Sequence, residues 1–418
     1  MTKCRVAKNK LENIIDFGEI YLNNFVKNKN LKLLKGKLRL GFSKKSKLLQ
    51  LLDTANHNKL YKHYWYRSGT NQTMTNQLND IVDNVTLWLK LKDNDTVLDI
   101  GCNDGTLLRR YNNYGRFFKV GIDPATNVAS DGKKICNVHS VSFFSYNVFR
   151  KIAKNRKCKV ITSIAMYYDL NDPVKFTKDI YKCLDDDGIW ILQVSYTPLM
   201  IQLNAFDNII HEHLEYYTLT SIKNILEKCD FEILDAQLND VNAGSLRVIV
   251  KKKKNNLKNT AAFIIEMGKI RYNSLINLEK NLKYDKKFPF IDFKKRVDTQ
   301  KKKLIDLLNN LKLKNKKIYG YGASTKGNTL LQYYKIDSNL ISAIAERQKQ
   351  KVGLKTVGSW IPIISENEMR RIKPDYLLVL PWQFINEFIN REIKFLKNGG
   401  KFIVPLPEVK IIGKEHIE

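Results

Sequence analysis

T-V-L-D-I-G-C-N-D-G, residues 96–105, is the stretch that decides the fold of this chain. Its first five residues form a short apolar run, as expected for a strand buried in a parallel sheet. The run ends in a turn where Gly101 and Gly105 let the backbone approach a ligand closely. The helical pattern that follows places a helix N-terminus beside that ligand. The stretch therefore predicts a strand, a binding turn and a helix.

Further apolar runs recur downstream at the spacing of alternating strands and helices. We expect strands at 118–123, 159–164 and 189–194. We also expect an amphipathic helix at 172–184, which the D-D-D-G run at 185–188 ends. Strands that alternate with helices at this spacing indicate a parallel, doubly wound sheet.

The C-terminal part of the chain repeats this organisation. A long helical stretch is expected at 257–312, with a break near Pro289, before strands at 317–322, 376–380 and 401–405. The chain thus divides into a polar, lysine-rich N-terminal segment of weak periodicity and two α/β domains. The predicted bounds of these three parts are residues 1–75, 76–250 and 251–418.

The bulk composition narrows the class of protein. A chain of 418 residues is too long for one hydrophobic core. No apolar run reaches the length of a membrane span, and the N-terminus lacks the apolar region of a secretory signal. The six cysteines include no short-spaced pair, which excludes a CxxC redox motif. We therefore expect a cytoplasmic protein without a disulfide framework.

The net charge of +30 allows two interpretations. One is a nucleic-acid partner or an acidic surface. The other, which we favour, is an excess of lysine on solvated faces, because arginine is the better bidentate reader of phosphate. The lysine runs at 251–254, 301–303 and 316–317 fall at expected element ends and connections. The charge would still steer an anionic substrate towards its cleft.

A cofactor site is predicted around the glycine turn. Asp123 closes the next strand, where doubly wound folds hold two ribose hydroxyls. The pattern lacks the tight G-x-G-x-x-G of dinucleotide-binding folds, and with Asp99 before the first glycine it resembles the class I S-adenosylmethionine-dependent methyltransferases. By that resemblance the turn lines the methionine side of the cofactor and Asp123 holds the ribose. The candidate cofactor residues are Asp99, Gly101, Asn103, Gly105, Asp123 and Ser163.

A cluster of acid–base side chains lies in F-D-N-I-I-H-E-H-L-E-Y-Y, residues 206–217. His211, Glu212 and His213 can supply a general base near neutral pH. Metal binding is an alternative, but H-x-H places both imidazoles on one face only in a strand, and a third ligand would be needed. The spacing also differs from the H-E-x-x-H of zinc proteases. Solvated or capping histidines are the remaining alternative.

This segment resembles the motif of the NDP-sugar C-methyltransferases, which act on deoxy keto-sugars. Five further stretches resemble that family in the same order: Y-W-Y-R-S-G-T-N-Q-T-M (64–74), N-A-G-S-L-R (242–247), Y-G-Y-G-A-S-T-K-G-N (319–328), L-P-W-Q-F (380–384) and G-G-K-F-I-V-P-L-P (399–407). The resemblance implies an α/β fold with a class I methyltransferase doubly wound sheet. It also implies a small N-terminal domain and a second, Rossmann-like C-terminal α/β domain.

The resemblance also implies a reaction. In that family a base removes the proton next to a ketone of the sugar, and the enolate carbon attacks the methyl group of S-adenosylmethionine. His213 is then the base, and Glu212 orients it or positions the sugar. Tyr64 or Tyr66 would donate a hydrogen bond to the enolate oxygen, where charge develops. Ile210 stands where the family often has tyrosine, which leaves the preferred substrate and the proton-transfer route open.

A second glycine-rich turn, G-Y-G-A-S-T-K-G at 320–327, follows an expected strand and precedes a helical pattern. Its glycines have the spacing of a P-loop, but N-T replaces the required Lys-Ser/Thr pair, which excludes ATP hydrolysis at this motif. Ser324 and Lys326, with backbone donors, would hold the diphosphate of the substrate at the helix start. Asn242 is a further substrate-binding candidate. A turn that only packs the domain is the alternative.

The N-terminal segment resembles a zinc domain that has lost its metal ligands. The family usually begins with two CxxC pairs, whereas here Cys4 is the one cysteine left. Ala7, Ser43 and Ser46 occupy the other positions. A serine hydroxyl is a poor zinc ligand beside a thiolate. We therefore expect a degenerate domain without zinc, held together by packing or loose.

Several other functions stay open. O- or N-methylation of a similar sugar needs no enolate. A basic, nucleic-acid-binding methyltransferase-like protein would need a platform of stacking aromatics, and none is visible outside the motifs above. A catalytically dead relative is a third alternative, against which the intact motifs count. The expected partner is a small nucleotide-linked sugar, and we expect neither a nucleic-acid partner nor a membrane span.

Overall fold

The structure is a computed structural model, which describes residues 2–22, 25–27, 33–54, 67–70, 72–241, 244–254, 257 and 260–417. Across those residues the strands form sheets of four, seven and six strands and one two-stranded ribbon. No helix in these ranges is long and apolar enough to cross a membrane. The predicted site residues Tyr64, Tyr66 and Asn242 lie outside the described residues.

The elements follow one another in a mixed α/β order. The strands are β1 (Glu12–Tyr21), β2 (Phe25–Val26), β3 (Lys35–Ser43), β4 (Leu48–Leu51), β5 (Thr96–Ile100), β6 (Phe118–Ile122), β7 (Val138–Ser140), β8 (Cys158–Ile164), β9 (Leu184–Ser195), β10 (Glu215–Tyr216), β11 (Phe231–Asn239), β12 (Ser245–Lys252), β13 (Ile318–Tyr321), β14 (Ile344–Glu346), β15 (Lys355–Thr356), β16 (Ile363–Ser365), β17 (Tyr376–Val379), β18 (Lys401–Val404) and β19 (Lys410–Ile412). The α-helices are α1 (Gln72–Trp88), α2 (Thr106–Arg110), α3 (Ala129–Ile135), α4 (Tyr146–Ala153), α5 (Pro173–Cys183), α6 (Thr197–Gln202), α7 (Leu219–Lys228), α8 (Ala262–Asn281), α9 (Phe288–Leu313), α10 (Thr325–Tyr334), α11 (Glu366–Ile372), α12 (Ile385–Arg391) and α13 (Ile393–Lys397).

The seven-stranded sheet has the order β11-β12-β9-β8-β5-β6-β7. Its strands run parallel except β12, which is antiparallel to both of its neighbours. The predicted strands of the first α/β domain are confirmed as β5, β6, β8 and β9. The chain leaves β5 for β6 on one side and later returns to β8 on the other. This reversal is the point at which doubly wound sheets bind their ligands.

The six-stranded sheet repeats that plan in the C-terminal part, with the order β16-β14-β13-β17-β18-β19. Only β19 among these strands runs antiparallel to its neighbour. In this sheet the chain passes from β13 to β14 on one side and later returns to β17 on the other side of β13. The predicted break in the preceding helical stretch is confirmed, because α8 ends at Asn281 and α9 begins at Phe288, with Pro289 in its first turn.

The N-terminal segment forms an antiparallel sheet of order β1-β3-β4-β10. Its strands escaped prediction because the two-residue alternation of apolar side chains is broken. Irregular pairing interrupts β1 between Asn13 and Ile15 and between Asp16 and Glu19, and residues 40–43 of β3 and all of β4 are buried without alternation. One hydrophobic core joins this sheet to the C-terminal part of the chain. Phe42 of β3, for example, packs on Phe290 of α9 with ring centroids 5.4 Å apart.

Two local predictions are wrong. The D-D-D-G run does not separate α5 from the next strand, because residues 184–188 already belong to β9 and Leu184 pairs with Cys158. The run Lys301–Lys303 lies within α9 and not at an element end. Lys302 and Lys303 occupy the exposed face of that helix, while Val297 and Leu304 are buried at helical spacing.

Candidate active site

The glycine turn follows β5 at the reversal point of the seven-stranded sheet. Gly101, Asn103 and Gly105 all adopt left-handed backbone conformations, with φ of 75°, 50° and 78°. A Cβ atom on Gly101 would lie 3.3 Å from the side chain of Met166, so a side chain there would crowd the space above the turn. The turn therefore has the open, backbone-lined form that a bound cofactor needs.

Asp123 anchors this turn from the end of β6. One carboxylate oxygen accepts a hydrogen bond from the Asn103 amide at 2.9 Å, and the other accepts one from the Ala125 amide at 2.8 Å. A carboxylate has about four lone-pair positions, so two remain for the hydroxyls of a ribose. Burial raises the pKa of Asp123, while the two amide hydrogen bonds oppose that shift.

Asp99 lies buried in β5, beside Thr162 of β8. The Thr162 hydroxyl donates a 2.6 Å hydrogen bond to Asp99 Oδ1. Burial raises the pKa of Asp99 to about 7, the Thr162 hydrogen bond opposes the shift, and the nearby Asp123 adds to it. A carboxyl group with this pKa would change its charge near neutral pH.

Ser163 is the one predicted cofactor residue, among those that the structure describes, whose side chain does not lie on the side of Asp99. Side chains alternate along a strand, so Ser163 faces the side of the sheet opposite Thr162 and Asp99. Its hydroxyl accepts a 2.9 Å hydrogen bond from Trp190 Nε1, and the residue is fully buried.

A short segment that the sequence-based assignment left out crosses the glycine turn. The Gly69 amide donates to Asp104 Oδ2 at 2.8 Å, and the Ser68 amide donates to Asn103 Oδ1 at 3.1 Å. Arg67 forms a salt bridge with Asp131 of α3, with the charged atoms 2.6 Å apart. These residues belong to the stretch 64–74, which the resemblance had marked without assigning them a role.

The H-E-H segment is a turn and not a strand, because the His213 amide donates to the Ile210 carbonyl at 3.2 Å. The two histidines therefore diverge. His211 is buried against β3, where a Cβ on Gly36 would lie only 3.0 Å from its Nε2. His213 instead packs edge-on against Tyr168, with ring centroids 4.5 Å apart.

One hydrogen bond defines the proton-accepting atom of His213. Its Nδ1 lies 2.9 Å from the carbonyl oxygen of Asn208. A carbonyl only accepts hydrogen bonds, so Nδ1 carries the proton and Nε2 keeps its lone pair in the neutral ring. Burial lowers the pKa of His213 to about 3, the charge of Lys326 adds to that effect, and the Asn208 hydrogen bond opposes it. Burial raises the pKa of the adjacent Glu212 to about 7.

The second glycine-rich turn meets this segment. Lys326 lies within electrostatic reach of both His213 and Asp207: burial lowers the pKa of Lys326, and Asp207 opposes the shift. Trp382 donates from its indole nitrogen to Asp207 Oδ2 at 3.0 Å. Ser324 caps α10 by accepting a 3.0 Å hydrogen bond from the Gly327 amide. The two sites that the sequence suggested separately therefore lie together.

Glu346, at the end of β14, is a further candidate residue that sequence reasoning missed. Its carboxylate accepts 2.8 Å hydrogen bonds from the amides of Ala323 and Gln348. Lys351 donates to the Ala323 carbonyl at 2.8 Å and lies 3.8 Å from Glu346. The available signal was an acid at the end of the strand after a glycine turn, the same pattern that identified Asp123.

The four positions that the resemblance equates with zinc ligands come together in the N-terminal segment. Cys4 Sγ lies 3.1 Å from Ser46 Oγ and accepts a 3.3 Å hydrogen bond from the Ala7 amide. The Ser43 hydroxyl accepts from the Ser46 amide at 3.2 Å and donates to Asn9 at 3.0 Å. Burial raises the pKa of Cys4, but these hydrogen bonds outweigh it and the pKa lies below its ordinary value.

The described ranges contain no candidate metal centre. Within them, no group of three or more histidine, cysteine, aspartate or glutamate side chains is arranged to hold a metal ion.

Comparison with known proteins covers both α/β domains. Residues 71–236 match the family described as a methyltransferase domain, and residues 240–407 match the C-methyltransferase C-terminal domain. The chain is 27% identical over 361 residues to the C-methyltransferase NovU of Streptomyces niveus. The aligned region covers 85% of this chain and 83% of NovU.

Solved structures match a smaller part of the chain. An S-adenosylmethionine-dependent methyltransferase from Clostridium acetobutylicum is 14% identical, with a TM-score of 0.33 and coverage of 42% of this chain and 91% of that one. The cyclopropane synthase MmaA2 from Mycobacterium tuberculosis is 18% identical, with a TM-score of 0.32. The match covers 44% of this chain and 72% of that one.

The doubly wound sheet, the glycine turn with its two acids and the matched domains define an S-adenosylmethionine-dependent methyltransferase. Within that class, residues 240–407 match the C-methyltransferase C-terminal domain, and the chain is similar along most of its length to a C-methyltransferase.

Proposed function

We propose that this enzyme transfers a methyl group to a carbon next to the ketone of a nucleotide-linked deoxysugar. The observation that carries the proposal is the link between His213 and the glycine turn. The His213 ring packs on Tyr168, and Met166, two residues earlier, lies against Gly101. His213 also has a defined proton-accepting nitrogen.

The cofactor cradle fits S-adenosylmethionine. The left-handed turn leaves no side chain at Gly101 or Gly105, and Asp123 keeps free lone pairs for ribose hydroxyls. Asp99, when ionised, favours a cationic ligand. When bound, the cofactor supplies an electrophilic methyl group on a positively charged sulfur.

His213 is the proposed base. Its Nε2 takes a proton from the sugar carbon next to the ketone, and the electrons of that C–H bond move towards the ketone oxygen. The carbon of the resulting enolate then forms a bond to the transferred methyl group, whose bond to sulfur breaks. A neutral imidazole suits the first step because it begins unprotonated at neutral pH.

Lys326 would couple substrate binding to the strength of that base. In the free protein its positive charge lowers the pKa of His213. A diphosphate bound at Lys326 and the start of α10 would offset that charge, since helix N-termini and lysine both favour phosphate. That would remove the part of the pKa shift of His213 that Lys326 causes, while burial, the larger cause, would remain. Glu346 would hold the ribose of the substrate nucleotide, as Asp123 holds that of the cofactor.

Glu212 remains the second candidate base. Its pKa of about 7 lies nearer the working pH than that of His213 in the free protein. In our proposal it hydrogen-bonds the sugar, while His213 removes the proton. We assign His211 a structural role, because it is buried against β3. Tyr64 or Tyr66 would stabilise the enolate oxygen, and Asn242 would contact the sugar.

A substrate panel tests the reaction. Full-length enzyme is incubated with isotopically labelled S-adenosylmethionine and dTDP- or UDP-linked 4-keto-6-deoxysugars, and the products are read by mass spectrometry and NMR. Carbon methylation next to the ketone supports the proposal. A methyl group on oxygen or nitrogen would instead favour the alternative of O- or N-methylation.

A further inference from the structure

The N-terminal sheet takes its last strand from the candidate active site. β10 begins two residues after His213 and pairs antiparallel with β4, with Glu215 opposite Gln50 and Tyr216 opposite Leu49. The Leu51 amide also donates to the Leu214 carbonyl at 2.9 Å. Sheet pairing fixes the register of a strand, so the N-terminal sheet determines where the H-E-H segment lies.

Glu215 is a buried carboxylate at this junction. It is 1% exposed, and within the described ranges neither of its carboxylate oxygens has a hydrogen-bond partner that meets ordinary geometry. Arg5 is the cation that faces it, with Nε 3.4 Å from Oε1. Burial raises the pKa of Glu215, the charge of Arg5 opposes that shift, and the nearby Asp169 and Cys4 add to it.

Arg5 is itself held rigidly by β4 and the residues that follow it. Its backbone amide donates to Gln50 Oε1 at 2.9 Å. Its guanidinium donates to the Leu51 carbonyl at 3.3 Å and to the Thr54 hydroxyl at 2.8 Å. The remaining edge of the guanidinium faces Glu215. One side chain thus connects the first residues of the chain to the segment that carries His213.

We propose that Arg5 is a positioning residue for methyl transfer. Its guanidinium holds Glu215, and through Glu215 it holds residues 211–217, so that His213 keeps its place beside Lys326. The close approach of His211 to Gly36 braces the same segment from β3. This inference rests on the proposed function, in which His213 is the base. The N-terminal domain would then serve catalysis through this contact.

Kinetics of the full-length enzyme test the role with S-adenosylmethionine and the dTDP-linked 4-keto-6-deoxysugar it methylates. Arg5→Met should lower kcat at least about ten-fold, because displacements near 1 Å can cost about a hundred-fold. The KM for S-adenosylmethionine should stay within about two-fold, since the glycine turn is untouched. Arg5→Lys, which keeps the charge, should recover part of the lost kcat.

A double variant separates positioning from stability. Replacing one partner of a buried ion pair is destabilising, whereas replacing both is often neutral. Arg5→Met with Glu215→Gln should therefore restore the thermal midpoint while kcat stays low. Recovery of kcat together with the midpoint would overturn the proposal, and so would a normal kcat in Arg5→Met.

Hydrogen exchange separates this inference from the proposed function. Peptides that cover 206–217 should exchange faster in Arg5→Met, and peptides that cover 96–105 should not change. Unchanged exchange at 206–217 would contradict the positioning role, whatever the role of His213. If His213→Asn is fully active while exchange is faster in Arg5→Met, His213 is not the base, but Arg5 still holds residues 211–217 in place.

Discussion

Asp123 and Glu346 hold equivalent positions in two different α/β domains. Each ends the strand that follows a glycine turn, and each accepts a hydrogen bond from an amide of that turn, Asn103 at 2.9 Å and Ala323 at 2.8 Å. Each also accepts from the amide two residues further along the chain. The two acids therefore have the same hydrogen-bond arrangement, and we propose that each binds the ribose of one nucleoside.

Substitution of these two acids should affect different ligands. Asp123→Ala should weaken S-adenosylmethionine binding by about ten- to a hundred-fold, the value of charge-assisted hydrogen bonds to ribose, and leave dTDP binding unchanged. Glu346→Ala should do the reverse. Calorimetry with each ligand measures both, and each variant is the control for the other. Loss of both affinities in one variant would indicate misfolding, and normal S-adenosylmethionine affinity in Asp123→Ala would move the cofactor elsewhere.

Cofactor affinity should depend on pH through Asp99. Its pKa is about 7, so the carboxyl group is mostly protonated at pH 6 and mostly ionised at pH 8. The cofactor is cationic, and its binding should therefore tighten about ten-fold between those values. Calorimetry across this range should show the change in the wild type and a flat profile in Asp99→Asn. A pH-independent wild type would contradict this role.

The glycine turn and its acids were predictable because few residue types satisfy a left-handed turn beside a strand end. The position of Ser163 was not, because it depends on which face of β8 each residue occupies, and a shift of one residue reverses the face. The run Lys301–Lys303 was interpreted as a connection because runs of charged residues are typical of loops. In the structure it lies within α9, with Lys302 and Lys303 exposed to solvent.

Contacts between distant segments were beyond sequence reasoning. The motifs at 206–217 and 320–327 were recognised singly, but only the folded chain shows that their segments pack together, with Phe206 stacked on Tyr334 of α10. Arg5 and Glu215 lie far apart in sequence, and neither belongs to a pattern that would pair them. The strands of the N-terminal sheet were missed because irregular pairing interrupts the alternation in β1 and continuous burial removes it in β4.

The purified protein should contain no stoichiometric zinc. By the resemblance, Ala7, Ser43 and Ser46 stand at three thiolate positions around Cys4, and a hydrogen-bond network joins Cys4 to Ser46. Elemental analysis should find less than about one zinc per ten chains, whereas structural sites bind tightly at neutral pH. The variant with cysteine at all three positions should gain one zinc per chain. Stoichiometric zinc in the wild type would refute this prediction and require other ligands, such as His57 or His63.

Lys326→Met should impair binding of the nucleotide-linked sugar. Loss of a charge-assisted contact to the diphosphate should raise the KM for that substrate by about ten-fold or more, with S-adenosylmethionine affinity unchanged. Lys335→Met, at the far end of the same helix, is the matched control for loss of one positive charge. Equal effects of both variants would indicate general electrostatic steering, and no effect of either would remove Lys326 from the site.

Solvent-deuterium exchange tests the central claim most directly. The enzyme is incubated in D2O with the accepted keto-sugar and S-adenosylhomocysteine, and deuterium at the carbon next to the ketone is measured by NMR. The wild type should exchange that proton. His213→Asn should exchange and methylate about two to four orders of magnitude more slowly, the usual contribution of general-base catalysis, with S-adenosylmethionine affinity within about two-fold. His211→Asn should lose much less. Full exchange and turnover in His213→Asn would contradict the account, and would transfer the role of base to Glu212 if Glu212→Gln is inactive.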